Sequence, residues 1–287
     1  MKTKSLLSHR NQEPESGVLY LVGTPIGNLN DLSPRAINIL ENVSLIACED
    51  TRQTKKIMTK FQISNNLTSF NKHNSRIKSQ RLIEELKNDK SIAIVSDAGM
   101  PSICDPGEDI VKAVKSEGYD VICVPGACAA LTALVSSGMP SSRFVFEGFL
   151  PIKKINREKI LLEISQNEKT TILYESPHRL KRLLNELHKV CGGDREIEIA
   201  RELTKKFEEH IGNTINSAIV FFEKKKVLGE ITLVIRGVNK KNDSVINELD
   251  LKKELNELIQ AGLSPSAASK YLAKKKSIKK SIIYNLI

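Results

Sequence analysis

The chain has 287 residues, of which 40% are apolar and 27% carry a charge, a balance typical of a folded globular protein. Its 44 lysines and arginines exceed its 34 aspartates and glutamates, which gives a net charge of +10. This composition excludes a fibrous or wholly disordered chain, and the length suggests two domains with a small appendage. The positive surplus favours a polyanionic partner, with nucleic acid before a membrane surface, although a basic surface without such a partner remains the alternative.

The cysteines and histidines give no sign of a metal or disulfide site. The five cysteines are widely spaced without a C-x-x-C pair, and the five histidines form no H-x-x-x-H motif. Zinc sites and disulfide frameworks need closer or paired ligands, so we expect reduced thiols, no metal and a cytoplasmic protein.

Nor does the sequence predict a signal peptide or a membrane span. The first 16 residues lack the long apolar run of a signal peptide. Residues 121–139 are an uncharged stretch of 19 residues, but Pro125 and Gly126 divide it into a strand and a short helix. Neither piece is long enough to cross a bilayer, so we expect a soluble protein with no membrane partner.

From residue 17 onward, short apolar runs alternate with amphipathic stretches of helical length. The runs predict strands at residues 18–22, 44–48, 66–70, 91–95 and 120–124. Residues 75–87 illustrate the intervening helices, since Ile77, Leu82, Ile83 and Leu86 are its apolar positions. This alternation predicts an α/β domain with a largely parallel sheet at residues 17–137, after a flexible segment at residues 1–16.

A second series of elements follows a predicted helix at residues 127–137. Gly138 and Pro140 break that helix, so we place a domain boundary near residue 138. Strands are then predicted at residues 144–149, 171–175, 196–201, 208–212 and 230–236, with helices at 156–166, 177–191 and 214–225. Residues 138–239 are therefore assigned to a second α/β domain.

The tail, residues 240–287, holds ten lysines against five acidic residues and so carries half of the net charge. Helices are predicted at residues 249–261, 266–275 and 279–286, with Gly262 ending the first. This order fits a basic, helix-turn-helix-like module that contacts nucleic acid. A solvated lysine-rich helix pair without a partner fits equally well.

The residues that follow the first two predicted strands are candidates for a binding site, because ligands of α/β sheets bind outside the carboxyl ends of the strands. Residues 23–31 follow the first strand, but the chain contains neither a G-x-G-x-x-G nor a P-loop motif. Residues 48–52 follow the second. There, Asp50 or Thr51 could simply cap the next helix, and Asp50 or Arg52 acting at a cleft is the alternative.

Three later segments are candidates for the same reason. Residues 96–107 combine aspartates with small residues that could hold a ribose or amino group. Residues 125–130 begin a helix whose free amides attract an anion, although close helix packing explains their small side chains equally well. Residues 174–179 close a strand of the second domain; their His178 is more often a surface or capping residue than a catalyst. The basic side chains at the start of the helix that follows this strand could bind phosphate or lie on a solvated face.

Eight segments occur together and in order: LYLVGTPIGNLNDLSPRA, CEDTR, SFNKHN, SDAGMPSICDPG, VPGACAALTAL, FEGFLP, YESPHR and ARELTKKFEE. In this the chain resembles the ribosomal RNA small subunit methyltransferase I family of the tetrapyrrole methylase superfamily. The resemblance covers about residues 17–237 and extends to SPSAASKYLAKK in the tail. Cys128 stands where the family has a serine, so a hydroxyl contact there would be lost or replaced by a weak thiol contact.

The resemblance implies two α/β domains with S-adenosylmethionine in the cleft between them, and no metal. It also implies a homodimer that methylates the 2'-hydroxyl of a cytidine in the decoding region of 16S rRNA, in an assembled or nearly assembled small ribosomal subunit. By motif, the implied cofactor site comprises Pro25, Ile26, Gly27, Asp97, Gly99, Gly126, Ala127, Cys128, Ala129, Glu175, Ala200 and Thr232.

A ribose hydroxyl must be aligned and must lose its proton during methyl transfer. Strand-end placement and motif membership make Asp50, His73 and Glu175 the candidate proton acceptors, and Arg52 and Arg179 the groups that orient phosphate or base. Two other functions stay open. A tetrapyrrole-precursor methyltransferase shares the fold, but CEDTR, SFNKHN and the basic tail argue against it. A non-catalytic nucleic-acid-binding protein would leave the small-residue turns after three strands unexplained.

Overall fold

The computed structural model describes residues 13–239, 248–276 and 280–286. Most of the predicted flexible segment at residues 1–16 and the start of the third predicted tail helix lie outside these ranges. The chain forms two compact units, residues 1–237 and residues 238–287. Both predicted α/β halves belong to the first unit, and the division near residue 138 stays a prediction.

The first half of this unit is a five-stranded sheet with the order β3-β2-β4-β1-β5 and every neighbouring pair parallel. This confirms the predicted α/β sheet. The strands are β1 (Val18–Val22), β2 (Leu45–Cys48), β3 (Leu67–Ser69), β4 (Ile92–Val95) and β5 (Asp120–Val124). The helices are α1 (Pro34–Asn42), α2 (Thr51–Lys60), α3 (Ser75–Lys87), α4 (Glu108–Ser116) and α5 (Ala129–Ser136), with a short 3-10 helix at Leu29–Asp31.

Side chains alternate between two cores, one on each face of this sheet. In β1, Tyr20 and Val22 pack into one cluster, whereas Leu19 packs into the other. All four residues of the central strand β4 are buried. An uninterrupted apolar run of this kind is expected of a parallel strand that is covered on both faces. Because the five strands are parallel, their carboxyl ends lead into loops at the same edge of the sheet.

The second half is a mixed sheet with the order β6-β7-β10-β8-β9, in which β6 and β7 are parallel and the other pairs are antiparallel. Its strands are β6 (Phe144–Phe149), β7 (Thr170–Glu175), β8 (Glu196–Arg201), β9 (Glu209–Thr214) and β10 (Ile231–Ile235). Its helices are α6 (Lys154–Gln166), α7 (Leu180–Cys191) and α8 (Ile215–Glu223). α7 begins three residues later than predicted, because residues 176–179 form a turn held by Glu175.

The second unit contains helices α9 (Glu248–Gln260), α10 (Pro265–Lys276) and α11 (Lys280–Tyr284). Leu255, Ala268, Leu272 and Ile283 are its buried core. Gly262, with a φ of +99°, lies in the turn after α9 as predicted. Across the described residues, none of the helices has the length and apolar character needed to cross a membrane.

Candidate active site

A cavity of about 410 Å³ lies where loops at the carboxyl ends of strands from both sheets meet. Because β10 is antiparallel to β7, with Ile231 opposite Glu175, its first residues also reach this edge. The lining residues are Ile26, Glu49, Asp97, Ala98, Gly99, Met100, Ile103, Cys104, Asp105, Cys128, Ala129, Phe149, Tyr174, Glu175, Ser176, Pro177, Gly229, Glu230, Ile231 and Thr232. The volume falls in the range of roughly 300–1,000 Å³ typical of small-molecule sites.

Seven of the twelve residues predicted to bind the cofactor line this cavity: Ile26, Asp97, Gly99, Cys128, Ala129, Glu175 and Thr232. Gly99 joins the loops after β1 and β4, since its amide donates to the carbonyl of Thr24 over 3.1 Å and its carbonyl accepts from the Thr24 amide over 2.9 Å. Its φ of +84° is one that glycine adopts readily.

The other five predicted residues lie behind or beside the lining. Pro25 and Ala127 each neighbour a lining residue in the chain. Ala200 is buried next to Thr232, its partner on the adjacent strand. Gly27 and Gly126 are packed against other parts of the protein.

These two glycines serve internal packing. A Cβ on Gly126 would approach the Cα of Gly23 to 2.7 Å, and a Cβ on Gly27 would approach the Cγ of Lys205 to 2.5 Å. Both distances are too short for real side-chain contacts. Close approach between protein segments therefore accounts for the glycines at these positions.

Asp50 and Arg52 pair with each other beside the cavity. Asp50 caps α2 by accepting from the Arg52 amide over 2.8 Å, and its carboxylate lies 2.6 Å from the guanidinium of Arg52. These contacts lower the pKa of Asp50 to about 2. The predicted helix cap is thus confirmed. The Asp50 amide also donates to Asp97 over 2.9 Å, which fixes a carboxylate of the lining.

Glu175 is held between two guanidinium groups. Its Oε1 accepts from the Ser176 amide over 2.8 Å and from Arg179 Nε over 2.7 Å. Its Oε2 lies 3.5 Å from Nη2 of the buried Arg157, and neither of these two atoms has a hydrogen-bond partner. Glu175 as a residue is only 2% exposed. Its contacts to Ser176 and Arg179 anchor the turn that brings Ser176 and Pro177 to the cavity.

His73 lies away from the lining, in an exposed turn after β3. Its amide donates to Asn71 over 3.1 Å. The neighbouring Lys72 connects this turn to the cavity loop, because its ammonium donates to the carbonyl of Cys104 over 3.1 Å.

Comparison with known proteins decides the family. A model of tetrapyrrole (corrin/porphyrin) methylases matches residues 18–219. The ribosomal RNA small subunit methyltransferase I of Synechocystis sp. is 43% identical over 270 residues, which is 94% of this chain and 97% of that protein. The one from Bacillus subtilis is 42% identical over 281 residues, or 96% and 95% of the two chains. The chain belongs to this methyltransferase family.

One further relative is shorter. The ribosomal RNA small subunit methyltransferase I of Thermotoga maritima is 46% identical over 221 residues, which is 99% of that protein but 77% of this chain. About a quarter of the present chain therefore has no counterpart there.

Solved structures show the same fold. The uroporphyrin-III C-methyltransferase of Thermus thermophilus matches with a TM-score of 0.53 and 18% identity, over 77% of this chain and 94% of that one. A cobalt precorrin-4 methyltransferase matches with a TM-score of 0.60 and 13% identity, over 77% and 95%. They confirm the tetrapyrrole methylase fold expected from the sequence.

Methyltransferases of this family use S-adenosylmethionine, which confirms the predicted cofactor. The lining fits such a ligand: Glu49, Asp97 and Asp105 offer carboxylates to its amino and sulfonium charges, and Ile26 and Met100 offer apolar surface. Cys128 caps α5 without a side-chain hydrogen bond to the helix. Within the described ranges, no group of three or more His, Cys, Asp or Glu side chains could hold a metal ion.

Asp105 and Tyr174 are lining residues that sequence reasoning left out. The Asp105 carboxylate is half-buried, and burial together with the charges of Glu49 and Asp97 raises its pKa to about 6, against a lowering effect of Lys72. The Tyr174 hydroxyl accepts from the Ala130 amide over 3.1 Å and so caps α5, and burial raises the pKa of this tyrosine. The motif SDAGMPSICDPG located the Asp105 loop, but it does not tell that both of its aspartates, Asp97 and Asp105, reach the cavity.

Proposed function

We propose that the chain transfers a methyl group from S-adenosylmethionine to the 2'-hydroxyl of a cytidine in the decoding region of 16S rRNA. The observation that carries the proposal is the identity of 42–43% to ribosomal RNA small subunit methyltransferases I over nearly the whole chain. The substrate is an assembled or nearly assembled small ribosomal subunit, the enzyme is a homodimer, and the reaction takes place in the cytoplasm.

In this proposal the cofactor is held by the seven predicted residues that line the cavity. Asp97 is oriented by the Asp50 amide, and Gly99 is fixed by its two bonds to Thr24. S-adenosylmethionine, when bound, supplies a methyl group whose departing thioether is neutral. The protein must therefore align the acceptor hydroxyl and remove its proton, and alignment alone can contribute roughly 7–11 kcal/mol at the upper end.

We further propose that Asp105 accepts the hydroxyl proton. It faces the cavity next to Glu49, and a group with a pKa of about 6 is ionised at neutral pH yet able to hold a proton. The predicted acceptors Asp50 and Glu175 have their carboxylates engaged by arginines. Asp50, His73 and Glu175 stay as predictions for mutational testing, and so do Arg52 and Arg179 as orienting groups.

The experiment is transfer of labelled methyl from S-adenosylmethionine to purified small ribosomal subunits that lack the modification. Wild-type protein should label the 16S rRNA. Asp97→Asn should abolish labelling because it weakens cofactor binding, which calorimetry measures. Asp109→Asn is the matched control, because Asp109 is exposed in the first turn of α4, outside the lining. Cofactor binding by wild-type protein without any label on RNA would refute the substrate and favour a tetrapyrrole precursor.

A further inference from the structure

Residues 51–83 form a stretch of 33 residues without a single aspartate or glutamate. It spans α2, the edge strand β3 and most of α3. Its eight cations are Arg52, Lys55, Lys56, Lys60, Lys72, Arg76, Lys78 and Arg81. All of them are exposed except Lys78, which is half-buried. Because α2 and α3 pack on opposite faces of the sheet, these eight residues lie around its edge at β3, and we call them the basic face.

The cations of the basic face have few acidic partners. Several lysines elsewhere pair with carboxylates, as Lys87 does with Glu117 and Lys225 with Glu209. Within the described ranges, only Arg52 of the basic face forms an ion pair, and its side chain is still 87% exposed. Uncompensated positive charge of this density repels itself, and a polyanion that binds there relieves the repulsion.

The geometry places this charge along a path to the cavity. Arg52, Lys56 and Lys60 are four residues apart, so they form a row on one face of α2 with a rise of about 6 Å between neighbours. The row begins beside Asp50, whose amide holds the cavity residue Asp97. From the other side, Lys72 contacts the carbonyl of the cavity residue Cys104.

The exposed chemistry suits nucleic acid better than a membrane. A helix that binds a lipid surface exposes an apolar face, whereas Ile57 and Met58 of α2 are buried. The exposed positions of α2 between its cations are the polar Gln53 and Thr59. Phosphate groups spaced along a strand are the ligand that such a row of cations fits.

We propose that the basic face docks the sugar-phosphate backbone of the substrate RNA and leads it to the cavity. The inference rests on the proposed function for the identity of the RNA.

The test compares two triple charge reversals in the full chain. The first is Lys55→Glu, Lys56→Glu and Lys60→Glu, which changes the basic face and leaves the cavity lining and Arg52 intact. The control is Lys115→Glu, Lys189→Glu and Lys226→Glu, three exposed lysines on α4, on α7 and after α8. Both variants change the net charge equally, so a general loss of attraction affects them alike.

Binding to unmodified small ribosomal subunits is measured against salt concentration, with S-adenosylmethionine affinity as the check on folding. We expect the first variant to bind at least tenfold more weakly than the control. Its slope of log K against log salt should be smaller by roughly 2–3, since each phosphate contact contributes about 0.7–0.9. Its KM for subunits should rise while kcat at saturation and cofactor affinity stay unchanged.

Equal binding of small subunits by the two variants would overturn the inference. So would a first variant that keeps its binding to subunits and loses only its binding to anionic vesicles of phosphatidylserine and phosphatidylcholine. Failure of the proposed function has a different signature, because it is read from wild-type protein alone as absent transfer to subunits. Binding and transfer thus report on the two proposals separately.

Discussion

Asp105 combines position and acidity in a way that gives the reaction a defined pH dependence. If its carboxylate accepts the hydroxyl proton, only the ionised form is active. We expect kcat of wild-type protein to rise with pH through about 6 and to level off above 7, because its pKa is about 6. Asp105→Asn should lower the single-turnover rate by about 100-fold or more and remove this rise. An Asp105→Asn variant with the wild-type pH profile would disprove the assignment, and Asp109→Asn is the control.

The same residue should cost stability at neutral pH. Its pKa is about 6 in the folded chain against an ordinary value of 3.8, so the folded state keeps a proton that the unfolded state has lost. Its contribution to stability therefore decreases as the pH rises from about 4 to about 6, and stays low above that. We expect Asp105→Asn to raise Tm at pH 7.5, with an advantage that shrinks as the pH falls toward 4. Thermal unfolding at several pH values measures this, and an advantage that is constant with pH would contradict it.

Packing at Gly23 gives a prediction that does not depend on the reaction. A Cβ on Gly23 would approach the Cα of Gly126 to 2.7 Å and the sulfur of Met100 to 2.6 Å. Gly23→Ala should therefore lower the free energy of unfolding by about 1–3 kcal/mol, the usual cost of overpacking. Urea denaturation measures the loss. A Gly23→Ala variant with wild-type stability would show that the contact is relieved at no cost.

At the scale of elements, the strands of the first sheet could be predicted within one or two residues, because buried parallel strands are continuous apolar runs between polar helices. The antiparallel pairing of β7, β10, β8 and β9 could not, since an apolar run does not encode the direction of its neighbour. The late start of α7 depends on Glu175 accepting from Ser176, a contact that the sequence does not specify.

The candidate site was predictable as a set of loops but less so as a set of side chains. Asp97 and Thr232 were predicted and line the cavity, and Asp105 lines it without having been predicted. Ala200 was predicted too and shares the sheet face of its strand partner Thr232, but it is buried in an apolar cluster with Ile26 and residues of α5. Mutation of these residues would show which of them bind the cofactor and which take part in the reaction, and Glu175 is one such case.

Substitution of Glu175 separates an anchoring role from a catalytic one. Glu175→Gln removes the negative charge between Arg157 and Arg179 and leaves the buried Arg157 with Glu186 as its remaining carboxylate partner. We expect a loss of about 3 kcal/mol in the free energy of unfolding, as for other broken buried pairs. The exposed Glu163→Gln is the control and should lose far less. If Glu175→Gln kept wild-type stability but lost single-turnover activity, the predicted role as proton acceptor would gain over the anchoring role.

At the scale of the whole molecule, the basic face and the second unit are two concentrations of positive charge. The tail was predicted to contact RNA phosphates, so Lys252→Glu, Lys253→Glu and Lys270→Glu should weaken binding to small subunits and flatten its salt dependence. These three lysines are exposed on α9 and α10. S-adenosylmethionine affinity should not change, since the cavity is lined by residues of the first unit. An unchanged salt slope would assign no RNA contact to these lysines.

The measurement that tests the central claim most directly is the chemical position of the transferred methyl group. Small subunits labelled by the wild-type protein are digested to nucleosides, and nuclease mapping locates the labelled segment of 16S rRNA. The account predicts label in 2'-O-methylcytidine from the decoding region. Label on a base, on another part of the RNA or on no RNA at all would contradict it.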